Sequence, residues 1–241
     1  AVGREALRFN TTGESNTAVG HNAIEKNTTG IKNTGVGHDV LWFFEVASNN
    51  TAVGDLAMYG EAGKSTGSEN SAVGALALNR CTTGRGNTAV GMKALAALTT
   101  GAGNVAIGNR AGSALTTGAQ SVAIGTEALM AQTAASRCVA VGVKAGAACV
   151  GAGSVFIGPE AGREETNGER LYIANSATSE PLVWGNFAEK ALALYTAKLG
   201  FYGVAPVTRA AAIAEPPESL SGLVASVNQI RIALSRLGLT E

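Results

Sequence analysis

The chain has 241 residues, with 18 basic and 18 acidic side chains, only 5% aromatics and 32 glycines. So neutral and sparsely charged a chain lacks the electrostatic footprint of a nucleic-acid binder or of a protein held on an anionic membrane. The excess of small residues excludes an ordinary thick core, no apolar run is long enough for a membrane-spanning helix, and three cysteines exclude a disulfide framework within one chain.

From Ala1 onward the chain repeats itself. A tripeptide of the Ala-Val-Gly type ends at Gly3, Gly20, Gly37, Gly54, Gly74, Gly91, Gly108, Gly125, Gly142 and Gly158, at intervals of 17 residues with one of 20 and one of 16. The residue before each glycine is Val or Ile, and the third residue after it is Ala, with Val40 the exception. A second turn, Thr-Thr-Gly, closes at Gly13, Gly30, Gly84, Gly101 and Gly118, and the three extra residues between Gly54 and Gly74 form a small loop insertion. Seventeen residues are too few for a helix, a strand and their connections, but they suit one coil of a β-solenoid whose coils pair as parallel strands. Ten coils at about 4.8 Å each make a shaft of roughly 48 Å. All five prolines lie from Pro159 onward, so none interrupts the ladders.

Strand alternation divides each coil into two faces. One carries Thr17, Thr34, Thr51, Ser71 and Thr88, then Val105, Val122, Val139 and Val155, together with the Val or Ile before each glycine. Its apolar character predicts the inside of the roll. The opposite face, with Ala18, Ala52, Ala72, Ala89, Ala106, Ala123 and Ala140, is then expected to lie outside, against a neighbouring copy of the chain. Asn16, Asn33, Asn50, Asn70, Asn87 and Asn104 precede the strands and are expected to stack as an amide ladder.

Few residues carry chemistry. His21 and His38 each follow a repeat glycine and stack one coil apart, but no acidic or Cys partner recurs at ligand spacing, so they read as exposed ladder residues and no metal site is expected. Trp42, Phe43 and Phe44 stand out in a region poor in aromatics, either as a packing plug or as a candidate binding patch for a receptor or glycan. Cys81 and Cys149 are four coils apart, too far to bridge, and with Cys138 they read as small buried thiols. Gly63-Lys64-Ser65 lacks the earlier glycine of a phosphate loop, and Glu160, Glu164 and Glu165 read as loop charges at the end of the roll. No catalytic set and no cofactor site emerges, and an enzyme is not expected.

After Glu165 the repeat stops. Leu-Tyr-Ile-Ala-Asn-Ser (171–176), Pro-Leu-Val-Trp-Gly-Asn-Phe (181–187) and Lys-Leu-Gly-Phe-Tyr-Gly-Val (198–204) predict short strands of a cap or neck. Beyond Pro216-Pro217, with Ser219 as N-cap, Leu220, Leu223, Val227, Ile230, Leu234 and Leu237 advance in steps of 3 and 4, the seam of a short trimerising coiled coil. The expected domains are therefore a shaft over 1–165, a β-rich cap or neck over 166–214 and a helix over 215–241.

The strings Asn-Thr-Ala-Val-Gly (16–20 and 87–91), Ser-Val-Ala-Ile-Gly (121–125) and Gly-Ser-Val-Phe-Ile-Gly (153–158) resemble the head repeats of trimeric autotransporter adhesins, in the form also found in bacteriophage tail-fibre and spike proteins. The resemblance implies an all-β fold, a left-handed parallel β-roll with three chains to a head. Its 17-residue unit is longer than the usual adhesin repeat, so loop geometry does not carry over. The phrases after residue 171, Ala-Pro-Val (205–207) and the terminal helix look like the C-terminal regions of phage virion fibre proteins. The expectation is a homotrimeric fibre or spike of a phage-like virion. It would be attached to other virion proteins at one end and displayed to a host-surface receptor or glycan, without nucleic-acid binding or membrane insertion. The alternatives are the head of a bacterial surface adhesin, whose membrane-anchoring barrel would have to lie beyond this chain, a purely architectural fibre, and a monomeric solenoid that presents a Thr array to ice. Against the last, the Thr column becomes Val from Val105 onward.

Overall fold

The computed structural model describes residues 1–195, 198–199, 207–208, 228, 230–232 and 234–236. It forms two compact units, Ala1–Ala193 and Leu194–Glu241. The first is a parallel β-solenoid. Its three-residue strands are β1 (Thr17–Val19), β2 (Thr34–Val36), β3 (Thr51–Val53), β4 (Ser71–Val73), β5 (Thr88–Val90), β6 (Val105–Ile107), β7 (Val122–Ile124), β8 (Val139–Val141) and β9 (Val155–Ile157). Each pairs in parallel with the next, and equivalent repeat positions face one another, as in Thr88↔Val105, Ala89↔Ala106 and Val90↔Ile107. The register survives the insertion, where Thr51 still faces Ser71 and the exposed segment 61–64 bulges outward.

The sheet continues past Glu165. Strand β10 (Arg170–Ile173) pairs in parallel with β9, β11 (Val183–Asn186) returns antiparallel to β10, and β12 (Ala191–Leu194) completes a 12-stranded sheet. In the second unit, β13 (Lys198–Leu199) and β14 (Val207–Thr208) form an antiparallel pair. Residues 228, 230–232 and 234–236 are helical. Of the expected seam, Ile230 is exposed and Leu234 half-buried, while Leu220, Leu223, Val227 and Leu237 lie outside the described residues.

The strand faces are the reverse of the sequence expectation. Ala18, Ala52, Ala72, Ala89, Ala106, Ala123 and Ala140 are the buried ones, whereas Val19, Val53, Val73, Val90, Ile107, Ile124, Val141 and Ile157 point outward. The cause is the narrowness of the coil. The opposite wall supplies the bulk, through Ile24, Leu41, Met58, Leu78, Leu95 and Leu129, all four residues after a repeat glycine and all essentially inaccessible. Only a methyl group fits between that wall and the strand.

Two local exchanges show how tightly the volume is shared. At the Ala position of β2 stands Gly35, where an added Cβ would lie 2.7 Å from Ile24 Cγ1 and 3.1 Å from Val40 Cγ1, and Val40 is the one residue larger than Ala at its own repeat position. In β9 the Ala position holds Phe156, which is fully buried, and the wall residues beside it are Gly146 and Gly162, both against the ring. Volume lost on one side is taken up on the other, as close packing requires.

The wall is built from left-handed backbone. Ile24, Leu41, Met58, Leu78, Leu95 and Leu129 have φ between 48° and 54°. That conformation costs a bulky residue about 1–2 kcal/mol, and full burial of its side chain contributes about 1.5–3 kcal/mol, so burial prevails. The repeat glycines are obligatory for a different reason. Gly54 has φ 133°, and a Cβ there would sit 2.7 Å from the carbonyl carbon of Gly74 in the next coil.

The Asn ladder forms as expected. Asn87 is typical: its Oδ1 accepts the backbone N–H of Asn104 at 2.9 Å, and its Nδ2 donates to the Gly101 carbonyl at 2.9 Å. Asn33, Asn50, Asn70 and Asn104 act alike, so one buried side chain satisfies two backbone groups in each coil. A second ladder runs through the Thr turns, where Thr28, Thr82, Thr99 and Thr116 each donate Oγ1 to the carbonyl one coil on.

Candidate functional site

Two features of the solenoid surface stand apart from the rest. The first is the outward strand face. In coils β1–β5 it pairs a column of Thr or Ser with a column of Val; from β6 to β9 both columns are aliphatic, with Val105, Val122, Val139 and Val155 half-buried beside exposed Ile107, Ile124, Val141 and Ile157. Two columns about 7 Å apart over the four stacked strands β6–β9 make an apolar strip on the order of 100 Å², and the single Val or Ile column continues along β1–β5.

The second feature lies on the coils around Gly20, Gly37 and Gly54. Trp42 and Phe43 stack with ring centroids 5.3 Å apart, and Tyr59, one coil further, meets both edge-on at 5.1 and 5.2 Å. These three rings are half-buried. Phe44, expected in the same patch, is fully buried and faces the Gly60 backbone inside the coil, so the patch is Trp42, Phe43 and Tyr59. Leu41 and Phe44, on either side of Trp42 and Phe43, turn into the coil, so only part of the aromatic run reaches the surface. Trp42 Nε1 is buried without an acceptor among the described residues. Burial, and secondarily the Asp39 charge, push the Tyr59 phenol up.

Beside these rings, coil stacking assembles a polar cluster. The His21 and His38 rings stack at 5.3 Å and 7°, as expected of residues one coil apart. The acidic partners that the linear spacing did not reveal are also present. His38 Nδ1 lies 2.9 Å from Asp55 Oδ1, and His38 Nε2 lies 3.5 Å from Asp39 Oδ1. Asp39 is 9% exposed and accepts a hydrogen bond of 2.7 Å from Asn22 Nδ2. The signal was in the sequence: Asp55 follows His38 by one 17-residue period, so it holds the same repeat position as the two histidines.

The remaining candidates are structural. All three cysteines are buried and free. Burial pushes the Cys81 thiol up to about 12. Cys138 and Cys149 converge on the Gly151 carbonyl, at 3.3 and 3.4 Å, an 11-residue pairing within one coil. The nearness of the two thiols favours ionisation of Cys138 and disfavours that of Cys149. Glu165 is not a solvated loop charge: it accepts bonds from Tyr172 Oη at 2.9 Å and from the Asn167 backbone at 2.8 Å, beside a cleft of about 510 Å³ that also touches Thr166 and Thr178. Glu164 is exposed.

No family model, curated protein or solved structure matches the chain, so the reading of these surfaces rests on their own geometry.

Proposed function

We propose that the chain is the protomer of a homotrimeric fibre or spike of a phage-like particle, whose solenoid shafts pack through the outward strand face and hold a host-binding surface away from the particle. The observation that carries this reading is the uncovered aliphatic strip on a parallel sheet. Parallel sheets are almost always covered on both faces. Here one face lies over the alanine core, and the other presents a continuous column of Val and Ile to solvent. A second copy is the occupant best matched to it, because the strip repeats every coil and an identical strip matches its length and period.

The strip alone is smaller than the roughly 800 Å² per partner of a standard interface. The C-terminal heptads would supply further contact, and trimeric display would raise weak individual contacts by avidity. The half-buried rings of Trp42, Phe43 and Tyr59 are the surface we assign to a receptor or glycan, since planar aromatic faces with a polar rim suit both.

Light scattering of the purified chain tests the assembly. A mass three times the 24.1 kDa chain supports the reading, and a monomer overturns it. A second reading has one observation in its favour: Thr17, Thr34, Thr51, Ser71 and Thr88 face outward in register, which is the regular hydroxyl array an ice-binding solenoid needs. It predicts a monomer that shows thermal hysteresis, an outcome separate from that of the fibre.

A further inference from the structure

The geometry points to a divalent transition-metal site formed by His21, His38 and Asp39, with Asp55 holding His38 in the ligating orientation. One ring nitrogen from each histidine and one Asp39 oxygen lie within 4.8 Å of one another. Zinc ligands stand about 3.3 Å apart at metal–ligand distances near 2.0–2.1 Å, and the exposed imidazoles can close that difference by rotation about χ2. Two imidazoles and one carboxylate form a nitrogen- and oxygen-rich set suited to zinc, nickel or copper, with a fourth position left open.

Three further observations separate this cluster from a chance meeting of surface groups. First, Asp55 Oδ1 is positioned to accept the Nδ1 proton of His38, which fixes the tautomer and leaves Nε2 toward Asp39 as the metal-facing nitrogen. This carboxylate–histidine–metal relay is the usual support of a ligating histidine. Secondly, Asp39 is anchored by Asn22 Nδ2, yet among the described residues neither Asp39 nor Asp55 pairs with a lysine or arginine. A nearly buried carboxylate with so little compensation is costly unless a cation joins it.

Thirdly, Asn22 is 7% exposed and its Oδ1 is buried without a donor among the described residues. The cluster therefore holds more acceptors than donors: Asp39, Asp55, Asn22 Oδ1 and the free imidazole nitrogens. A cation resolves that excess. The fold also makes the site stiff, because the Asp39 N–H donates to the His21 carbonyl at 3.0 Å and the Leu56 N–H to the His38 carbonyl at 2.9 Å. The backbone under the ligands is part of the coil ladder.

The test uses the full chain, produced without a histidine tag and stripped with a chelator. Zinc chloride is titrated by calorimetry, and cobalt(II) is followed by its visible absorption. The expected result is one metal per chain, with cobalt bands of a low-coordinate nitrogen–oxygen site. His38→Ala and Asp39→Asn should weaken binding at least tenfold, and His21→Ala likewise. Asp55→Asn should weaken it by about 10–100-fold while the cobalt spectrum keeps its shape, as befits a positioning residue. Glu61→Gln, in the exposed insertion, should bind as the parent does. Circular dichroism of each variant confirms that the coil is intact, and Asp39→Asn conserves shape at the one nearly buried position. Absence of binding in the parent overturns the proposal, as does binding that His21→Ala, His38→Ala and Asp39→Asn leave unchanged.

Discussion

The coils before and after Val105 share one buried Ala column and differ in almost everything around it. Inside, the Ala column stays at 0–3% exposure from Ala18 to Ala140, facing Ile24, Leu41, Met58, Leu78 and Leu95 in the first half and Gly112, Leu129 and Gly146 in the second. Outside, the first half carries Thr, histidine and aromatic side chains, and the second carries two columns of Val and Ile. The turn ladder changes as well. Asn occupies it from Asn16 to Asn104, then Ser121, Cys138 and Ser154 take over, and their shorter side chains make fewer cross-coil bonds. Coil geometry is therefore enforced from within, while the outer face is free to specialise along the shaft.

The sharpest way to break that comparison is to overfill the interior in each half. Ala52→Leu and Ala106→Leu should both destabilise the chain by about 3 kcal/mol, at the upper end of overpacking costs, read as a loss of melting temperature. A neutral Ala52→Leu would mean that the Ala column is not tightly filled. Removing the ladder amide should separate them. Asn87→Ala strands the Asn104 N–H and the Gly101 carbonyl, for about 2–4 kcal/mol, whereas Ser121→Ala loses a single long bond to the Cys138 N–H, for about 1 kcal/mol. Equal losses in denaturant titrations would show that the amide ladder is not what stiffens the first half.

On the outer face the ranking should reverse. Ile124→Asp, where both columns are aliphatic, should lower the mass seen in light scattering toward the monomer at the same concentration where Val19→Asp still assembles. The difference should be about 1.5–3 kcal/mol per chain for the buried aliphatic groups. The melting temperature measured on the dissociated chain should hardly change in either variant.

The smallest expected effect is at the end of the shaft. Burial tends to raise the Glu165 carboxyl, but bonds from the Asn167 backbone and Tyr172 hold it below the ordinary value. A depressed carboxylate contributes stability above its unfolded pKa and loses it as pH falls through the folded value. Melting temperature should therefore drop below the usual carboxylate range, and Tyr172→Phe should flatten that acid limb by about 1 kcal/mol or less.

The 17-residue period, the parallel stacking of equivalent positions, the obligatory glycines and the Asn ladder were all legible in the residues, because each repeats in register. Which strand face lies inside was not. Both faces are built from small or β-branched residues, so alternation distinguishes two sets without saying which is buried. One clue lay in the ladder itself: the Asn four residues before the glycine shares a face with the Ala two residues before it, and an amide that serves backbone groups of neighbouring coils has to be inside. The aromatic run left two readings open, a packing plug or a surface patch, and Phe44 takes the first while Trp42 and Phe43 stay half-buried, since an aromatic on the tight turn can fill the coil as readily as leave it.

The sequence by itself therefore determined the coil, its length and its repeat, since these depend on local backbone chemistry copied every 17 residues. Only the tertiary structure decided the inward face, the pairing of Cys138 with Cys149 and the meeting of His38 with Asp39 and Asp55. Those depend on the width of the coil and on side chains that approach through space, where a separation of 17 residues along the chain becomes a distance of one strand.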